Sequence, residues 1–455
     1  MNKKPQILIG GASSGSGKTT FTLGLLRVLR NRGISVQPFK CGPDYIDPKY
    51  HSMAAENESV NLDSFLSSAQ HIKKIYQKYG TSAGACVIEG VMGLFDGYNK
   101  MEGSSAQIAE ILNVPVLLII NAKSCAYSVA PTIYGYKNFY KGINIAGVIF
   151  NMVGSEHHYQ LLKQACEEVG IPALGYLPKC KEIEIPSRHL GLTLDERFRF
   201  DTFLQKNAEL MEQHVEIERL LQIFQKEFYP DTNRAFRPQL DPEVTGLNPV
   251  GVTACDTAPA IASLPSLVIA VARDEAFNFI YRENIERLKE LGDVVFFSPI
   301  KDHALPKADF VYLPGGYPEL FIQEIAANLS MKTSIKEYVE QGGKMLAECG
   351  GMMYLCTCLT AMDGVEYPMC NVLPLRATME GMKLHIGYRK FIYNGEEIRG
   401  HEFHYSKMEE EGESITQLFS AAGEKTSTQL YKYKNVLAGY THLYWGEKLH
   451  SLLIL

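Results

Sequence analysis

Short apolar runs alternate with helical patterns along the first 180 residues of the chain. The apolar runs lie at residues 6–11, 34–40, 85–90, 114–121, 143–151 and 173–178. Between them, the spacing of apolar positions predicts helices at residues 18–32 and 105–112. Most of the runs are apolar on both faces, which is typical of strands covered by helices on either side of a sheet. We therefore predict an N-terminal α/β domain with a mostly parallel sheet.

A stretch rich in proline and small polar residues interrupts this alternation between about residues 225 and 265. Because it has no sustained period, we place an interdomain linker at residues 241–265, between domains at residues 1–240 and 266–455. The alternation then restarts, with apolar runs at residues 266–272, 293–298, 309–316, 342–348 and 437–445 and predicted helices at residues 278–291 and around Leu320 and Tyr338. The predicted fold class is α/β, with two α/β domains.

The composition of the chain mainly excludes certain partners and locations. The chain is 46% hydrophobic and 21% charged, with a formal net charge of −6, and it has no basic stripe that would indicate a nucleic-acid partner. No apolar run is long enough to cross a membrane. Ten cysteines are scattered without regular spacing and without a secretory signal, which favours a reduced, cytoplasmic compartment. The expected partners are therefore small molecules.

The first candidate site is a phosphate-binding loop. The run ILIGGASSGSGKTT at residues 7–20 places glycines between an apolar strand and a helix, so backbone N–H groups can converge on phosphate oxygens. Gly15 and Gly17 keep this loop flexible, Lys18 would reach the outer phosphates, and the hydroxyl of Thr19 would bind Mg²⁺. Ala12 occupies the position of the first glycine of the usual pattern. The alternative is a glycine-rich turn with an exposed lysine, which the strand-loop-helix context disfavours.

Charged residues follow two other strands at the same predicted edge of the sheet. Glu89 ends one apolar run, as a second Mg²⁺ ligand would, and Lys40 ends another, where it could hold the anionic group that is phosphorylated. Asp44 and Asp47 lie three residues apart on a turn after Lys40. Each residue alone could equally belong to a capped turn. Their convergence beside a phosphate loop favours the functional interpretation.

A cysteine between a glutamate and two glycines marks the second candidate site. Cys349 follows a predicted strand and precedes a short helical pattern, and the helix N-terminus is expected to lower the pKa of its thiol. The N–H groups of Gly350 and Gly316 are candidate donors to an oxyanion, and His442 is the candidate base. The alternative is a small buried hydrophobic residue, the commoner role of a single cysteine. The glycine pair and the strand end favour a nucleophile.

Two further pairs of residues are of types that bind metals, but they are weak evidence for a metal site. Cys356 and Cys358 form a C-x-C pair without a second pair, and His401 and His404 lie in a GHEFHYS run. For the two histidines, a pocket or core role is the favoured interpretation.

Together these motifs resemble the cobyrinate a,c-diamide synthase family along almost the whole chain. The N-terminal half resembles the dethiobiotin synthetase type of ATP-dependent ligase through ASSGSGKTT, KCGPDYIDP, EGVMGLFDG, NMVGSE and SRHLGL. The C-terminal half resembles the class I glutamine amidotransferases through ARDEAFNFIY, PGGYPELF, AECGGMMYL, GHEFHYS and THLYWG. The resemblance implies a sheet like that of phosphate-loop NTPases in the first domain and a class I glutaminase-like sheet in the second.

The resemblance also implies the chemistry. ATP and Mg²⁺ would activate a carboxylate of the tetrapyrrole cobyrinic acid as an acyl phosphate. Ammonia released from glutamine through a thioester on Cys349 would then pass internally and form the amide, at the a and c side chains in turn, in cobalamin biosynthesis. By this resemblance, Asn151 of the NMVGSE motif and Thr20 join the residues that bind the nucleotide.

The turn after Lys40 is the predicted tetrapyrrole contact because it lies beside the phosphate loop and is bracketed by prolines. Its predicted substrate-binding residues are Asp44, Tyr45, Ile46 and Asp47. Asp47 is also a candidate Mg²⁺ ligand. The alternative is that both aspartates only cap the turn.

One position departs from the wider amidotransferase pattern. Many class I glutaminases carry a glutamate two residues after the catalytic histidine, and this chain carries Tyr444 there. We therefore predict a dyad of Cys349 and His442, with the group that orients the histidine left open. Three alternatives also stay open: the same chemistry on hydrogenobyrinate or nickel sirohydrochlorin, the related cobyric acid synthase reaction, and, remotely, a partitioning-type ATPase switch. The sequence is compatible with a monomer or a homodimer.

Overall fold

The computed structural model describes residues 2–184, 199–229, 267–409 and 412–448. The proposed linker at residues 241–265 and the SRHLGL motif at residues 187–192 lie outside the described residues, so both stay predictions. Within the described part of the chain, no helix combines the length and the apolar character needed to cross a membrane.

The N-terminal domain is built on an eight-stranded sheet. Its strands are β1 Asn2–Gly11, β2 Val36–Cys41, β3 Val60–Leu62, β4 Ala85–Glu89, β5 Val116–Asn121, β6 Ile145–Val153, β7 Ala173–Pro178 and β8 Gln225–Phe228. Its α-helices are α1 Lys18–Asn31, α2 Asp47–Ala55, α3 Ala69–Gly80, α4 Ser105–Leu112, α5 Val129–Phe139, α6 Glu156–Val169, α7 Phe200–His214 and α8 Ile217–Ile223, and a 3₁₀ helix covers Lys181–Ile183.

The order of these strands brings the candidate residues around the phosphate loop together at the carboxyl ends of the strands. The strands follow β3-β2-β4-β1-β5-β6-β7 and are all parallel, and β8 pairs antiparallel with the start of β1. Lys40 of β2 therefore lies opposite Glu89 of β4, which in turn lies opposite Ile9 of β1. Because carboxyl ends of parallel strands meet at the same edge, the loops after β1, β2 and β4 converge there.

Both faces of this sheet are buried, which explains why its strands are almost continuously apolar. Leu8 belongs to the core on one face, whereas Ile7 and Ile9 belong to the core on the other. All three side chains are fully buried. This alternation of faces is the expected consequence of the two-residue period of a strand, and it confirms the predicted parallel sheet with helices on both sides.

The C-terminal domain contains a six-stranded sheet and three smaller ones. Its strands are β9 Leu267–Ala272, β10 Phe277–Phe279, β11 Gly292–Phe297, β12 Phe310–Leu313, β13 Gly315–Gly316, β14 Lys344–Glu348, β15 Cys358–Thr360, β16 Glu366–Pro368, β17 Arg376–Thr378, β18 His385–Tyr393, β19 Glu396–His404, β20 Lys407–Met408, β21 Phe419–Ser420, β22 Leu430–Tyr433, β23 Val436–Gly439 and β24 His442–Leu443. Its α-helices are α9 Arg282–Leu291, α10 Ile322–Ala327, α11 Leu329–Glu340 and α12 Gly350–Leu355, and a 3₁₀ helix covers Pro318–Phe321.

The main sheet of this domain follows the order β11-β9-β12-β14-β23-β22, with only β22 antiparallel to its neighbour. The strand β14, which precedes Cys349, is internal, between β12 and β23. The residues at its carboxyl end are therefore held from both sides.

Three details of the predicted elements are wrong. The helix expected from residue 278 begins at Arg282, because Phe277–Phe279 pairs antiparallel with Gly315–Gly316. The run at residues 437–445 is divided between two sheets, since β23 pairs with β14 and β24 pairs with β19. The stretch expected to be irregular from residue 225 begins with the strand β8.

Candidate active sites

The phosphate loop between β1 and α1 has the open backbone that anion binding requires. Gly15 and Gly17 adopt φ values of 73° and 101°, which residues with a side chain rarely adopt. A Cβ on Gly17 would lie 2.0 Å from Nδ2 of Asn151, and this amide donates a hydrogen bond to the carbonyl of Ser16 at 3.1 Å. Asn151 therefore contacts the loop itself and holds its shape. Its contact with a nucleotide stays a prediction.

The first turn of α1 carries the polar groups that face the edge of the sheet. Nζ of Lys18 donates to the carbonyl of Met92 at 2.5 Å, and burial lowers the pKa of this lysine. Oγ1 of Thr19 donates to Oε1 of Glu89 at 2.7 Å. The carbonyl of Thr20 accepts from Nδ2 of Asn207 at 2.7 Å, which fixes the start of α1 against α7.

Lys40 lies at the centre of a buried charge cluster. Its Nζ donates to Oδ2 of Asp47 at 2.7 Å and to Oε1 of Glu89 at 2.9 Å. Burial alone would lower the pKa of Lys40, but the two carboxylates reverse that effect and raise it. His51, which the sequence analysis missed, places Nε2 at 2.6 Å from Oε2 of Glu89. Lys40 thus neutralises acids in this structure, and its role toward the phosphorylated group stays a prediction.

Two of the three predicted Mg²⁺ ligands fit such an ion. The hydroxyl of Thr19 and the carboxylate of Glu89 are adjacent oxygen donors at the phosphate loop, the kind of set that Mg²⁺ shares with nucleotide phosphates. Asp47 is separated from Glu89 by the ammonium group of Lys40. Among the described residues, no group of three or more histidine, cysteine, aspartate or glutamate side chains could hold a metal on its own.

The residues of the turn after β2 have two different surroundings. Oδ1 of Asp44 accepts from the N–H groups of Ile46 and Asp47 at 2.8 and 2.9 Å, so Asp44 caps the turn. Asp47 begins α2 and lies buried against Lys40. Asp44, Tyr45 and Ile46 line a cleft of about 530 Å³ between the two domains, and Asp47 does not. Asp44, Tyr45 and Ile46 thus share one wall of the cleft, and substrate contact by the four residues of this turn stays a prediction.

This cleft is lined by residues that adjoin each of the two candidate sites. From the N-terminal domain it is lined by Met92, whose carbonyl accepts the hydrogen bond of Lys18. From the C-terminal domain it is lined by His401 of β19, which pairs with His442 of β24. The other lining groups are mainly aromatic or apolar, with Arg389 as a cation. A largely apolar cleft with a few polar groups is the usual form of a site for a small organic ligand.

Cys349 lies on the predicted sharp turn between a strand and a helix, but its electrostatics differ from the prediction. It follows β14 with φ 44° and ψ −106°, and α12 begins at the next residue. Burial, followed by the nearby carboxylate of Glu319, raises the pKa of the thiol well above its usual value. The N–H of Gly350 acts in the opposite direction, but its effect is smaller. The N–H at the helix N-terminus therefore acts in the predicted direction, but burial outweighs it and the net pKa of the thiol is raised.

His442 lies beside Cys349, with Gly315 against both. A Cβ on Gly315 would lie 2.1 Å from Cε1 of His442 and 3.2 Å from Cβ of Cys349. Any side chain at position 315 would thus displace the imidazole, a requirement that the sequence analysis missed. Burial, with added effects of His401 and His404, lowers the pKa of His442 well below its usual value. Neither ring nitrogen of His442 has a hydrogen-bond partner among the described residues.

The two predicted oxyanion donors are close together. A Cβ on Gly350 would lie 3.2 Å from the backbone nitrogen of Gly316. Gly316 is fixed by its pairing with Phe277 in the β10–β13 ladder. This arrangement is compatible with two N–H groups directed at one oxygen, and their role as donors stays a prediction.

Tyr444, which occupies the sequence position of the triad acid, does not contact His442 through its hydroxyl. The hydroxyl of Tyr444 lies 2.8 Å from Nε2 of His71 in the N-terminal domain. Instead, Glu348 is the acid beside the histidine, with Oε2 at 3.9 Å from Nδ1 of His442. Tyr45 of the substrate turn also contacts the dyad, with its ring centroid 5.0 Å from that of His442. The two candidate sites thus meet at one aromatic contact.

Comparison with known proteins matches two family models to different parts of the chain. Residues 7–192 match the CobQ/CobB/MinD/ParA nucleotide binding domain, and residues 268–449 match the CobB/CobQ-like glutamine amidotransferase domain. Cobyrinate a,c-diamide synthase from Priestia megaterium is 38% identical over 456 residues, covering 97% of this chain and 94% of that protein. The protein of the same name from Listeria innocua is 36% identical over 470 residues, covering 98% and 97%. The chain therefore belongs to the cobyrinate a,c-diamide synthase family.

Proposed function

We propose that this protein uses ATP and glutamine to amidate the a and c carboxylates of cobyrinic acid in cobalamin biosynthesis. The observation that carries the proposal is the interdomain cleft, which is lined by Met92, the residue that contacts Lys18, and by His401, the residue paired with His442. A ligand in this cleft would have its carboxylates beside the phosphate loop and its nitrogen source on the opposite side. The names of the relatives support the choice of acceptor.

The N-terminal site would activate the carboxylate. A carboxylate oxygen of the acceptor attacks the γ-phosphorus of ATP, the bond to ADP breaks, and an acyl phosphate results. Lys18 and the N–H groups of the phosphate loop stabilise the charge on the transferred phosphoryl group. Thr19 and Glu89 would hold Mg²⁺, which neutralises phosphate charge when it is bound. The cluster of Lys40, Asp47 and His51 fixes the position of Glu89.

The C-terminal site would supply the nitrogen. The proton of Cys349 moves to His442, and Sγ attacks the carboxamide carbon of glutamine. Gly350 and Gly316 would stabilise the oxyanion, and the imidazolium would return its proton to the departing ammonia. Water then hydrolyses the thioester to glutamate and restores the thiol.

The last step forms the amide from the products of the two sites. Ammonia attacks the acyl phosphate carbon, phosphate leaves, and the nitrogen loses a proton to give the amide. Because most ammonia is protonated in water at neutral pH, an internal passage along the cleft preserves its nucleophilic form. Tyr45 contacts both His442 and Phe279 and lines the cleft, so it lies where such a passage would begin.

A mass-spectrometric assay tests this proposal. The protein, ATP, Mg²⁺ and glutamine are incubated separately with cobyrinic acid, hydrogenobyrinic acid and nickel sirohydrochlorin. We expect two successive amidations of cobyrinic acid that require both ATP and glutamine. Preferential conversion of another macrocycle would reassign the acceptor. ATP hydrolysis without any amide product would favour a nucleotide switch instead.

A further inference from the structure

We propose that Glu348 is the positioning residue of His442, so that the acid which orients the histidine precedes the nucleophile in the sequence. This proposal rests on the proposed function, because it assigns Cys349 and His442 to glutamine hydrolysis. It answers a question that the sequence leaves open, since the position two residues after the histidine carries Tyr444.

The geometry places one carboxylate beside the histidine ring. Oε2 of Glu348 lies 3.9 Å from Nδ1 of His442, and the two side chains are 2% and 0% exposed. This distance is longer than a hydrogen bond, but it is within the range of a strong charge interaction in a buried site. Catalytic hydrogen bonds are often long in ligand-free structures and shorten in the substrate complex. With Nδ1 facing Glu348, Nε2 is the atom left to exchange a proton with Cys349.

The carboxylate itself is fixed by two hydrogen bonds. The hydroxyl of Tyr312 donates to Oε2 at 2.7 Å, and the N–H of Leu443 donates to Oε1 at 3.0 Å. Leu443 directly follows His442, so Glu348 holds the backbone that carries the histidine as well as facing its ring. Tyr312 lies on β12, the strand next to β14. Glu348 is therefore held between two neighbouring elements and cannot easily turn away from the ring.

The residue two positions after the histidine, Tyr444, takes part in a contact between the domains. Tyr444 pairs with His71 at 2.8 Å and is buried. Its hydroxyl therefore serves the contact between the domains. Among the described residues, no other carboxylate oxygen lies within 4.0 Å of a ring nitrogen of His442.

The electrostatics are those of a site that is neutral at rest and charged during reaction. Burial raises the pKa of Glu348 to about 8, raises that of Cys349 and lowers that of His442. Glu348 loses its own proton to solvent only as the pH rises through about 8, and its charge then stabilises an imidazolium on His442 when the thiol proton reaches the ring. The other titratable groups that act on the dyad include the carboxyls of Glu319 and Glu402 and the imidazoles of His401 and His404. The phenols around it include those of Tyr45, Tyr312, Tyr317 and Tyr440.

The test compares Glu348→Gln with the wild-type protein, because glutamine keeps the shape and removes the charge. The rate of Cys349 alkylation by iodoacetamide is measured against pH and read by mass spectrometry of the Cys349 peptide. The charge of Glu348 by itself raises the pKa of the thiol, as that of Glu319 does. A positioning role predicts that loss of the support for the imidazolium of His442 outweighs this effect, so the midpoint should move upward by about one pH unit or more. Glutamine-dependent amidation should fall by at least about a hundredfold, since removal of an orienting carboxylate is costly in such sites. Amidation with added ammonia should stay within about twofold of wild type, because the N-terminal site is unchanged.

Glu319→Gln is the matched control. Glu319 is a second glutamate near Cys349, and its charge raises the pKa of the thiol. Its removal should therefore move the alkylation midpoint downward, opposite to the shift for Glu348→Gln. Glu348→Asp should recover part of the lost activity, because it restores a carboxylate.

Two results would overturn this role, and they are distinguishable. An alkylation midpoint that is unmoved or moves downward in Glu348→Gln would show that Glu348 does not support the imidazolium of His442. Equal loss of activity with glutamine and with ammonia, alongside a lower melting temperature, would show that its role is only structural. If Cys349→Ser keeps its glutamine-dependent activity, the assignment of the dyad itself fails, and the role of Glu348 fails with it.

Discussion

Cys349 has a backbone conformation that costs roughly 1–3 kcal/mol for a residue with a side chain. The two residues after it show how the fold maintains this conformation. A Cβ on Gly350 would lie 2.8 Å from Cδ of Pro318, and a Cβ on Gly351 would lie 2.2 Å from the carbonyl of Leu313. The glycine pair therefore lets α12 pack closely against the neighbouring segments. This packing places the thiol at the strand end, beside His442.

Substitution of Cys349 should affect amidation with glutamine but not amidation with ammonia. We expect Cys349→Ser to lower glutamine-dependent amidation by at least about a thousandfold, because the thiolate is needed only to release nitrogen from glutamine. Amidation with added ammonium chloride should remain near the wild-type rate. His442→Ala should show the same pattern with some residual activity. Equal losses with glutamine and ammonia would contradict the assignment of this site.

Substitution of Lys18 should have the complementary effect. Lys18→Ala removes the ammonium group at the phosphate loop, so amidation should fall at least about a hundredfold with glutamine and with ammonia alike. Glu89→Gln should act in the same direction, since it removes a charge that Lys40 and His51 contact. Initial rates with each nitrogen source provide the measurement. Near-normal turnover with ammonia in either variant would place the ATP site elsewhere.

At the scale of elements, the start of α2 links the charge cluster to the substrate turn. Asp47→Asn weakens the ion pair with Lys40, while Glu89 still contacts that lysine. We expect slower amidation that stalls at the monoamide, with glutaminase activity retained. The diamide-to-monoamide ratio and the melting temperature are measured on the same samples. Unchanged products, or a loss of stability large enough to explain all lost activity, would make Asp47 a structural residue.

The elements that the sequence predicts well are those whose signal is local. The strand β1, the glycine loop and α1 are consecutive, so the apolar run and the Gly-Lys-Thr motif sufficed to predict the start of α1 at Lys18. The start of α9 at Arg282 was missed because Phe277–Phe279 pairs with a segment almost 40 residues away. Glu348, His51 and Gly315 were missed for the same reason. Their roles depend on which side chains face them, and the sequence does not show those long-range contacts.

At the scale of the whole molecule, the domains meet through polar and aromatic contacts close to both sites. The hydroxyl of Tyr388 donates to Oδ2 of Asp63 at 2.7 Å, and Tyr444 contacts His71 at 2.8 Å. Both contacts join the C-terminal domain to the N-terminal domain. They hold the cleft walls together and keep Tyr45 against His442.

Loss of one such contact should uncouple the two reactions. Tyr444→Phe removes a buried hydrogen bond worth about 1 kcal/mol and leaves Cys349, His442 and the phosphate loop unchanged. We expect the ratio of glutamate released to amide formed to rise above the wild-type value, because ammonia escapes from a looser interface. Parallel assays of glutamate and amide give this ratio. A ratio equal to that of wild type would show that the contact has no part in coupling.

Isotope competition tests the central claim, internal transfer of nitrogen from Cys349 to the phosphate loop, most directly. The wild-type protein receives ATP, cobyrinic acid and glutamine labelled with ¹⁵N in its amide, together with an excess of unlabelled ammonium. Internal transfer predicts that the diamide carries mainly ¹⁵N at both new amides, whereas Cys349→Ser under the same conditions incorporates only unlabelled nitrogen. A wild-type product whose ¹⁵N fraction equals that of the mixed ammonium pool would contradict the account.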